Sequence, residues 1–323
     1  MKFEHTSVLL EETIDGLNIK PDGIYVDGTV GAGGHSKEIL KRLTSGKLIC
    51  IDQDDEALNA AKENLKEYLG KVKFIKKNFS QVGEVLEELN IEKIDGMILD
   101  LGVSSHQIDT AVRGFSYMKD GKLDMRMDKE KSLSAKKIIN EYTQRDLERI
   151  FWNYGEEKMA KKIAANIIKR RNEKPIESTL ELSEIVENSI PQKFKKGRGH
   201  PSKKVFQALR IEVNKELEVI NEVIPKIVEK LKPKGRLCII TFHSLEDRIV
   251  KNKYKELSQG CICPKNFPLC VCKHNQLHRG CSRSGPTSSS SRASLQFSRA
   301  LWEGRCHGFR TTGSDAFRPS LPG

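Results

Sequence analysis

Apolar strands alternating with amphipathic helices, a glycine loop after the first strand and acids at the strand ends predict an α/β protein. The expected architecture is a Rossmann-like, doubly wound parallel sheet with an inserted helical subdomain. The first strand, 24–27, runs straight into Gly28-Thr29-Val30-Gly31-Ala32-Gly33-Gly34-His35-Ser36. Glycines at 31, 33 and 34 remove the Cβ atoms that would hold a ligand away from the backbone, and Ser36 is placed to cap a helix over 37–43. A loop of this kind also serves merely to pack a strand on a helix, so the neighbouring segments decide its role.

The second strand, 47–51, ends on Asp52, nineteen residues after Gly33. A nucleoside-binding unit places an acid there, against the ribose hydroxyls. Asp52 could instead cap the next helix, although Asp54 and Asp55 are available for that task. Amphipathic runs at 55–69 and 81–89 precede strands at 72–75 and 94–99, which completes a βαβαβαβ pattern. Asp52, Phe79 and Asp100 then all fall at carboxyl ends of strands, where such sheets bind ligands. The loop separates two cofactors. Dinucleotide enzymes use G-x-G-x-x-G, but Ser36 stands at the third glycine, whereas Asp27-Gly28-Thr29-Val30-Gly31-Ala32-Gly33 fits the acid and alternating glycines of S-adenosylmethionine enzymes, with Thr29 at one glycine position. Asp27 is thereby expected near the cationic methionine end.

The chain has 323 residues and a formal net charge of +12, which points to a polyanionic partner more than to a small neutral metabolite. From Leu277 onward it has seven Arg, one Glu and one Asp, which leaves +7 for residues 1–276. That tail contains no Lys, Ile or Asn, unlike the rest, and includes Thr287-Ser288-Ser289-Ser290-Ser291-Arg292. It is therefore expected to be foreign, disordered sequence with no folded role. No apolar run approaches a membrane span, and Met1-Lys2-Phe3-Glu4-His5 lacks a signal-peptide core. The expectation is a cytoplasmic protein with reduced thiols and no membrane partner.

After Asp100-Leu101-Gly102-Val103-Ser104-Ser105 the pattern changes to helical runs at 134–139, 144–152, 156–171 and 179–187. This insertion ends in a cationic segment carrying Lys195, Lys196, Arg198, Lys203 and Lys204, with Phe194 beside it, a composition suited to phosphate contacts and to stacking on a base. A helical stretch at 205–231, with a break expected near Pro225, leads back to a fifth strand at 235–241 and to Phe242-His243-Ser244-Leu245-Glu246-Asp247-Arg248. The division expected is a discontinuous cofactor domain, 1–107 and 205–276, an insertion at 108–204 that recognises substrate, and the tail 277–323.

Five segments, VDGTVGAGGHS, DLGVSS, RGFSYMKDGKLDMRMD, FQALRIEVN and TFHSLEDRIVK, together resemble the RsmH (MraW) family of bacterial methyltransferases acting on cytosine in small-subunit ribosomal RNA. The resemblance covers roughly residues 4–276, with the motifs in the family's order. It implies a class I S-adenosylmethionine-dependent methyltransferase fold and N4-methylation of one cytidine in the decoding region of 16S rRNA, as free RNA or in the small ribosomal subunit. It also implies cofactor contacts at Gly33, Gly34, His35, Asp52, Phe79, Asp100 and Gln107. The family's closing N-P-R-[SA]-R-S type segment, which leads into a last strand, is absent.

The cytosine amine shares its lone pair with the ring, so an acceptor must hold an amine hydrogen while the nitrogen attacks. Asp100 is the first candidate, with cofactor binding as its other role; His243 and Ser244 follow, either of which could serve a structural turn instead, Ser244 more readily so than catalysis. The base must also be unstacked, and Phe115 or Tyr117 could stack on it unless they belong to the core. Cys261, Cys263, Cys270 and Cys272 resemble a zinc tetrathiolate, but spaced C-x-C where a knuckle uses C-x-x-C, while Cys50 and Cys238 read as buried strand residues. Two rivals remain, a non-catalytic RNA-binding protein on a degenerate nucleotide fold and an NAD-dependent dehydrogenase. The intact Gly33, Asp52 and Asp100 argue against the first, and the loop and basic insertion against the second.

Overall fold

The computed structural model describes residues 7–194 and 199–258, together with the backbone of 294–299. Five short runs rich in branched apolar residues form strands: β1 (Ile24–Asp27), β2 (Lys47–Asp52), β3 (Val72–Lys76), β4 (Ile94–Asp100) and β5 (Leu231–Thr241). With β6 (Ser294–Arg299) they build one sheet in the order β3-β2-β1-β4-β5-β6, every pairing parallel. The order reverses between β1 and β4, which opens a crevice at their carboxyl ends. This is the class I Rossmann-like methyltransferase architecture.

Because side chains alternate along a strand, the sheet has two apolar faces. Leu48, Cys50, Ile98 and Cys238 pack under α1 (Leu10–Leu17), α2 (Gly34–Arg42) and α3 (Asp55–Asn64). Ile49, Ile51, Met97, Leu99 and Ile239 pack under α4 (Val82–Glu88), α11 (Glu216–Lys230) and α12 (Ser244–Ser258). Cys50 and Cys238 are buried free thiols, as the sequence suggested.

A short helix, α5 (Ser105–Asp109), leads out of β4 into the insertion, which contains α6 (Ala135–Glu141), α7 (Gln144–Asn153), α8 (Ala160–Glu173), α9 (Thr179–Ser189) and α10 (Lys203–Asn214). Ser134, Thr143 and Ser178 start three of these helices by accepting a backbone N–H from the residue three positions on. The insertion has its own core, and Phe115, Ile138, Phe151, Ile163, Leu182, Phe206 and Val213 all belong to it.

Several expected boundaries move. Residues Val205 to Val213 pack inside the insertion core, so α10 belongs there and the division after 204 cuts through a packed unit. The stretch 205–231 breaks at Lys215, in the left-handed conformation at φ 57°, and not at Pro225, which lies within α11. There Asn214 donates to the Met125 carbonyl and accepts from Met127 N–H, a tertiary tie that outweighs the proline signal. The run at 156–171 starts only at Ala160, because Glu156 adopts φ 48°. The tail, expected to have no folded role, contributes β6 along Arg236–Thr241 of β5. A parallel edge needs only backbone donors and acceptors, which any short extended segment supplies. Among the described residues no helix is long and apolar enough to cross a membrane.

Candidate active site

The loop after β1 is held by its own acids. Asp27 is 2% exposed and accepts from Ser36 Oγ at 2.7 Å and Thr29 N–H at 3.2 Å. Burial pushes its carboxyl up to about 6. Asp27 is therefore turned into the loop, where it holds the backbone that follows β1. Ser36, expected to cap a helix, sits inside α2 and serves Asp27; the helix starts from Gly33, whose φ of 85° favours glycine. A Cβ on Gly34 would press on Ser7 Oγ, the end of a short side chain, so the chain start packs closely against that glycine.

Asp52, at the end of β2, accepts from Gly31 N–H and Asp54 N–H, both at 3.0 Å. Burial pushes its carboxyl up to about 6. Phe79 opens the turn after β3 and packs partly buried against the sheet core. Thr29 Oγ1 accepts the Asp100 N–H at 2.6 Å, which ties the glycine loop to the end of β4.

Asp100 is the least satisfied of these acids. Among the described residues its buried Oδ1 has no hydrogen-bond partner. Its Oδ2 lies 3.7 Å from His35 Nδ1. Burial, with the charges of Asp27 and Glu246, pushes the carboxyl up to about 7. His35 is 5% exposed and burial lowers its pKa, so the ring is neutral; its Nε2 lies 3.1 Å from the Val8 carbonyl, which needs a donor. That assignment leaves the Nδ1 lone pair facing Asp100.

Gln107 lies beside this pocket with its amide engaged at both ends. Its Oε1 accepts from Ser104 N–H at 3.1 Å in a capping box, and its Nε2 donates to Asp54 Oδ2 at 2.7 Å. Asp54 also meets Arg113 Nη1 at 2.8 Å, and Arg113 reaches Glu56 at 2.7 Å and the Arg126 carbonyl at 3.0 Å. A buried arginine of the insertion thus neutralises the acids beside the pocket. No local sequence pattern marked it, since its partners lie far back in the chain.

On the β5 side, His243 and Ser244 differ from one another. Ser244 Oγ donates to Glu156 Oε2 at 3.0 Å, so its hydroxyl is used in joining the insertion to the sheet. His243 is nearly buried, with Nε2 3.2 Å from Glu246 Oε1. Glu246 Oε2 accepts from Phe242 N–H at 2.9 Å and His243 N–H at 3.4 Å. The acid three positions beyond His243 was the legible signal for this turn, a capping-box spacing with His in place of Ser or Thr. Glu216, His243 and Glu246 bring metal-capable atoms within 4.8 Å of one another, but Arg210 already donates to both Glu216 oxygens at 2.9 and 2.8 Å and lies 3.9 Å from Glu246. A guanidinium supplies the cation there.

Between the two subdomains a cavity of about 230 Å³ is lined by Glu156, His200, Lys203, Lys204, Gln207 and His243, among others. Lys204 Nζ donates to the Glu156 carbonyl at its rim. Tyr117 stacks on His200 with ring centroids 4.4 Å apart, whereas Phe115, 8% exposed, is a core residue and not a free platform for a base. Lys195, Lys196 and Arg198 lie outside the described residues, as do Cys261, Cys263, Cys270 and Cys272.

The sequence pattern of the MraW methylase family matches residues 2–295. The chain is 60% identical over 273 residues to a ribosomal RNA small subunit methyltransferase H of Clostridium botulinum, covering 84% of this chain and 88% of that one. It is 52% identical over 275 residues to the protein of the same name from Finegoldia magna, covering 85% and 88%. Among solved structures, NSun6 from Pyrococcus horikoshii is similar at 15% identity with a TM-score of 0.38, over 78% of this chain and 41% of that one.

Proposed function

Since the chain belongs to the MraW methylase family, we propose that it methylates the exocyclic N4 amine of one cytidine in the decoding region of 16S rRNA, with S-adenosylmethionine as donor. The observation that carries the reading is Asp100: a strand-end carboxylate at the topological switch point, with a buried oxygen that has no donor among the described residues and a proton affinity matched to neutral pH.

The donor set fits the cofactor. Asp52 retains lone pairs for ribose hydroxyls beyond its two backbone contacts, and the loop backbone at Gly31 leaves room for close approach, whereas Gly33 packs against Leu65. S-adenosylmethionine, when bound, supplies a methyl group already activated by its sulfonium. Asp100 then accepts an amine hydrogen as the cytosine nitrogen pyramidalises, and it retains the proton that the amine loses.

RNA docks on the insertion. Lys203 and Lys204, at the start of α10, line the cavity that runs toward His243 and offer cations for phosphates, and Lys195, Lys196 and Arg198 precede them in the sequence and add to that charge. The protein acts in the cytoplasm, where its substrate is made.

The test is transfer of labelled methyl from S-adenosylmethionine to small ribosomal subunits and to free 16S rRNA, followed by nuclease digestion and mass spectrometry. Labelled N4-methylcytidine at one decoding-region position is the expected product. Label on another base, or none on either substrate, would overturn the assignment.

A further inference from the structure

We propose that Glu246 is a positioning residue for this reaction: its buried carboxylate clamps the turn after β5 and ties it, through Arg210, to the insertion that receives the RNA. The inference rests on the functional reading above. Its support is geometric. Glu246 is fully buried, and one oxygen accepts the Phe242 and His243 amides. The other faces His243 Nε2 at 3.2 Å and Arg210 Nη2 at 3.9 Å. Glu246 N–H meets His243 Nδ1 at 3.4 Å, and Nε2 faces Oε1 without a hydrogen bond, so both ring nitrogens are turned to one residue.

The two ends of this contact lie in different subdomains. Arg210 is on α10, within the insertion, and is paired with Glu216 at the start of α11; Glu246 is on α12, which packs on the sheet. Phe242, whose amide Glu246 holds, packs 3.4 Å from the position a Cβ would take on Gly102, just after Asp100. A shift of α10 therefore reaches the Phe242–His243 turn and the end of β4 without a long chain of contacts.

The charges agree with the geometry. Burial works against ionisation of Glu246, but His243, Arg210 and the Phe242 amide outweigh it and hold the carboxyl below its ordinary value. The ionised group then helps to raise the proton affinity of Asp100, which Asp27 also faces and against which neutral His35 lies. Glu246 thus both orients the turn and keeps Asp100 poised as a base.

Glu246→Gln keeps the shape and an acceptor for the amides but removes the charge; Arg210→Gln removes the opposing charge. The readouts are kcat, KM and the pH dependence of methyl transfer to small subunits, with S-adenosylmethionine affinity measured by calorimetry as the check on folding. Glu246→Gln is expected to lower kcat by up to about 10²-fold, as a misplaced group does, with KM for the cofactor unchanged. Its acid limb should move to lower pH, and that of Arg210→Gln to higher pH. Structural damage alone cannot produce opposite shifts. If both variants bind cofactor but keep the parent's kcat and acid limb, or if both limbs move the same way, the proposal is overturned and the functional reading stands. If the parent chain transfers no methyl group to cytidine, both fall together.

Discussion

Asp100→Asn gives the sharpest test, because it separates what the site does for catalysis from what it costs the fold. In the folded chain the carboxyl moves from an ordinary 3.8 to about 7, mainly through burial and further through Asp27 and Glu246. Each tenfold change in proton affinity is worth about 1.4 kcal/mol, so ionising Asp100 costs on the order of 4 kcal/mol more in the folded chain than in the unfolded one. The side chain is 27% exposed, which makes that figure an upper limit. The sign follows from a raised acid: the folded state binds the proton more tightly, so the linked stability is fully present below pH 3.8 and is lost as the pH rises through about 7. Asparagine cannot ionise and escapes the loss. In urea denaturation Asp100→Asn should match the parent near pH 4 and exceed it by a few kcal/mol at pH 8, with an unchanged m-value. Its methyl-transfer rate should fall by about 10²- to 10⁴-fold, the usual loss for a positioned base. A stability difference that is the same at both pH values would refute the burial argument, and an undiminished rate would refute the role as acceptor.

Asp52→Ala should weaken S-adenosylmethionine binding by about 1–3 kcal/mol in calorimetry, the cost of leaving ribose hydroxyls and the Gly31 and Asp54 amides unmet. Arg113→Met should destabilise the fold by about 3–5 kcal/mol at pH 7 in denaturation, because it leaves the buried Asp54 without its counter-charge. Neutralising Lys203 and Lys204 should reduce the salt slope of RNA binding by about one for each phosphate left without its cation, while cofactor affinity stays unchanged. Removing residues 277–323 should lower the melting temperature, since it strips β6 from the outer edge of β5, at about 1 kcal/mol for each backbone hydrogen bond removed.

The sheet was legible because its signal is local. Runs such as Lys47–Asp52 and Ile94–Asp100 are apolar on both faces, and their boundaries are read within a residue or two. The strand-end acids were legible for the same reason, since topology alone carries Asp52 and Asp100 to one crevice. What failed depended on distant partners. Ser36 looks like a cap until Asp27 claims its hydroxyl, and the contact of Ser244 with Glu156, 88 residues back in the chain, has no trace in the sequence pattern around either. The helix break at Lys215 is set by Asn214 reaching back to Met125 and Met127, contacts that no periodicity records. The edge strand β6 escaped notice because composition describes a tail's foreignness, whereas pairing to β5 asks only for an extended backbone.

The acids around the crevice are treated unequally, and the inequality is informative. Glu56, beside the pocket, is held below its ordinary value by Lys129 and Arg113, both supplied by the insertion. Asp52, at the end of the strand that leads into the helix bearing Glu56, meets only backbone amides among the described residues and is pushed upward by burial, as is Asp100 across the switch point. A chain selected for stability alone would gain by meeting each of these carboxylates with a cation or a donor. The insertion instead neutralises the acids that anchor it and leaves uncompensated those that line the crevice. The proposed reaction, with its sulfonium and proton-losing amine, is served by that division, because both would supply to the crevice acids the positive charge or donor that the protein withholds.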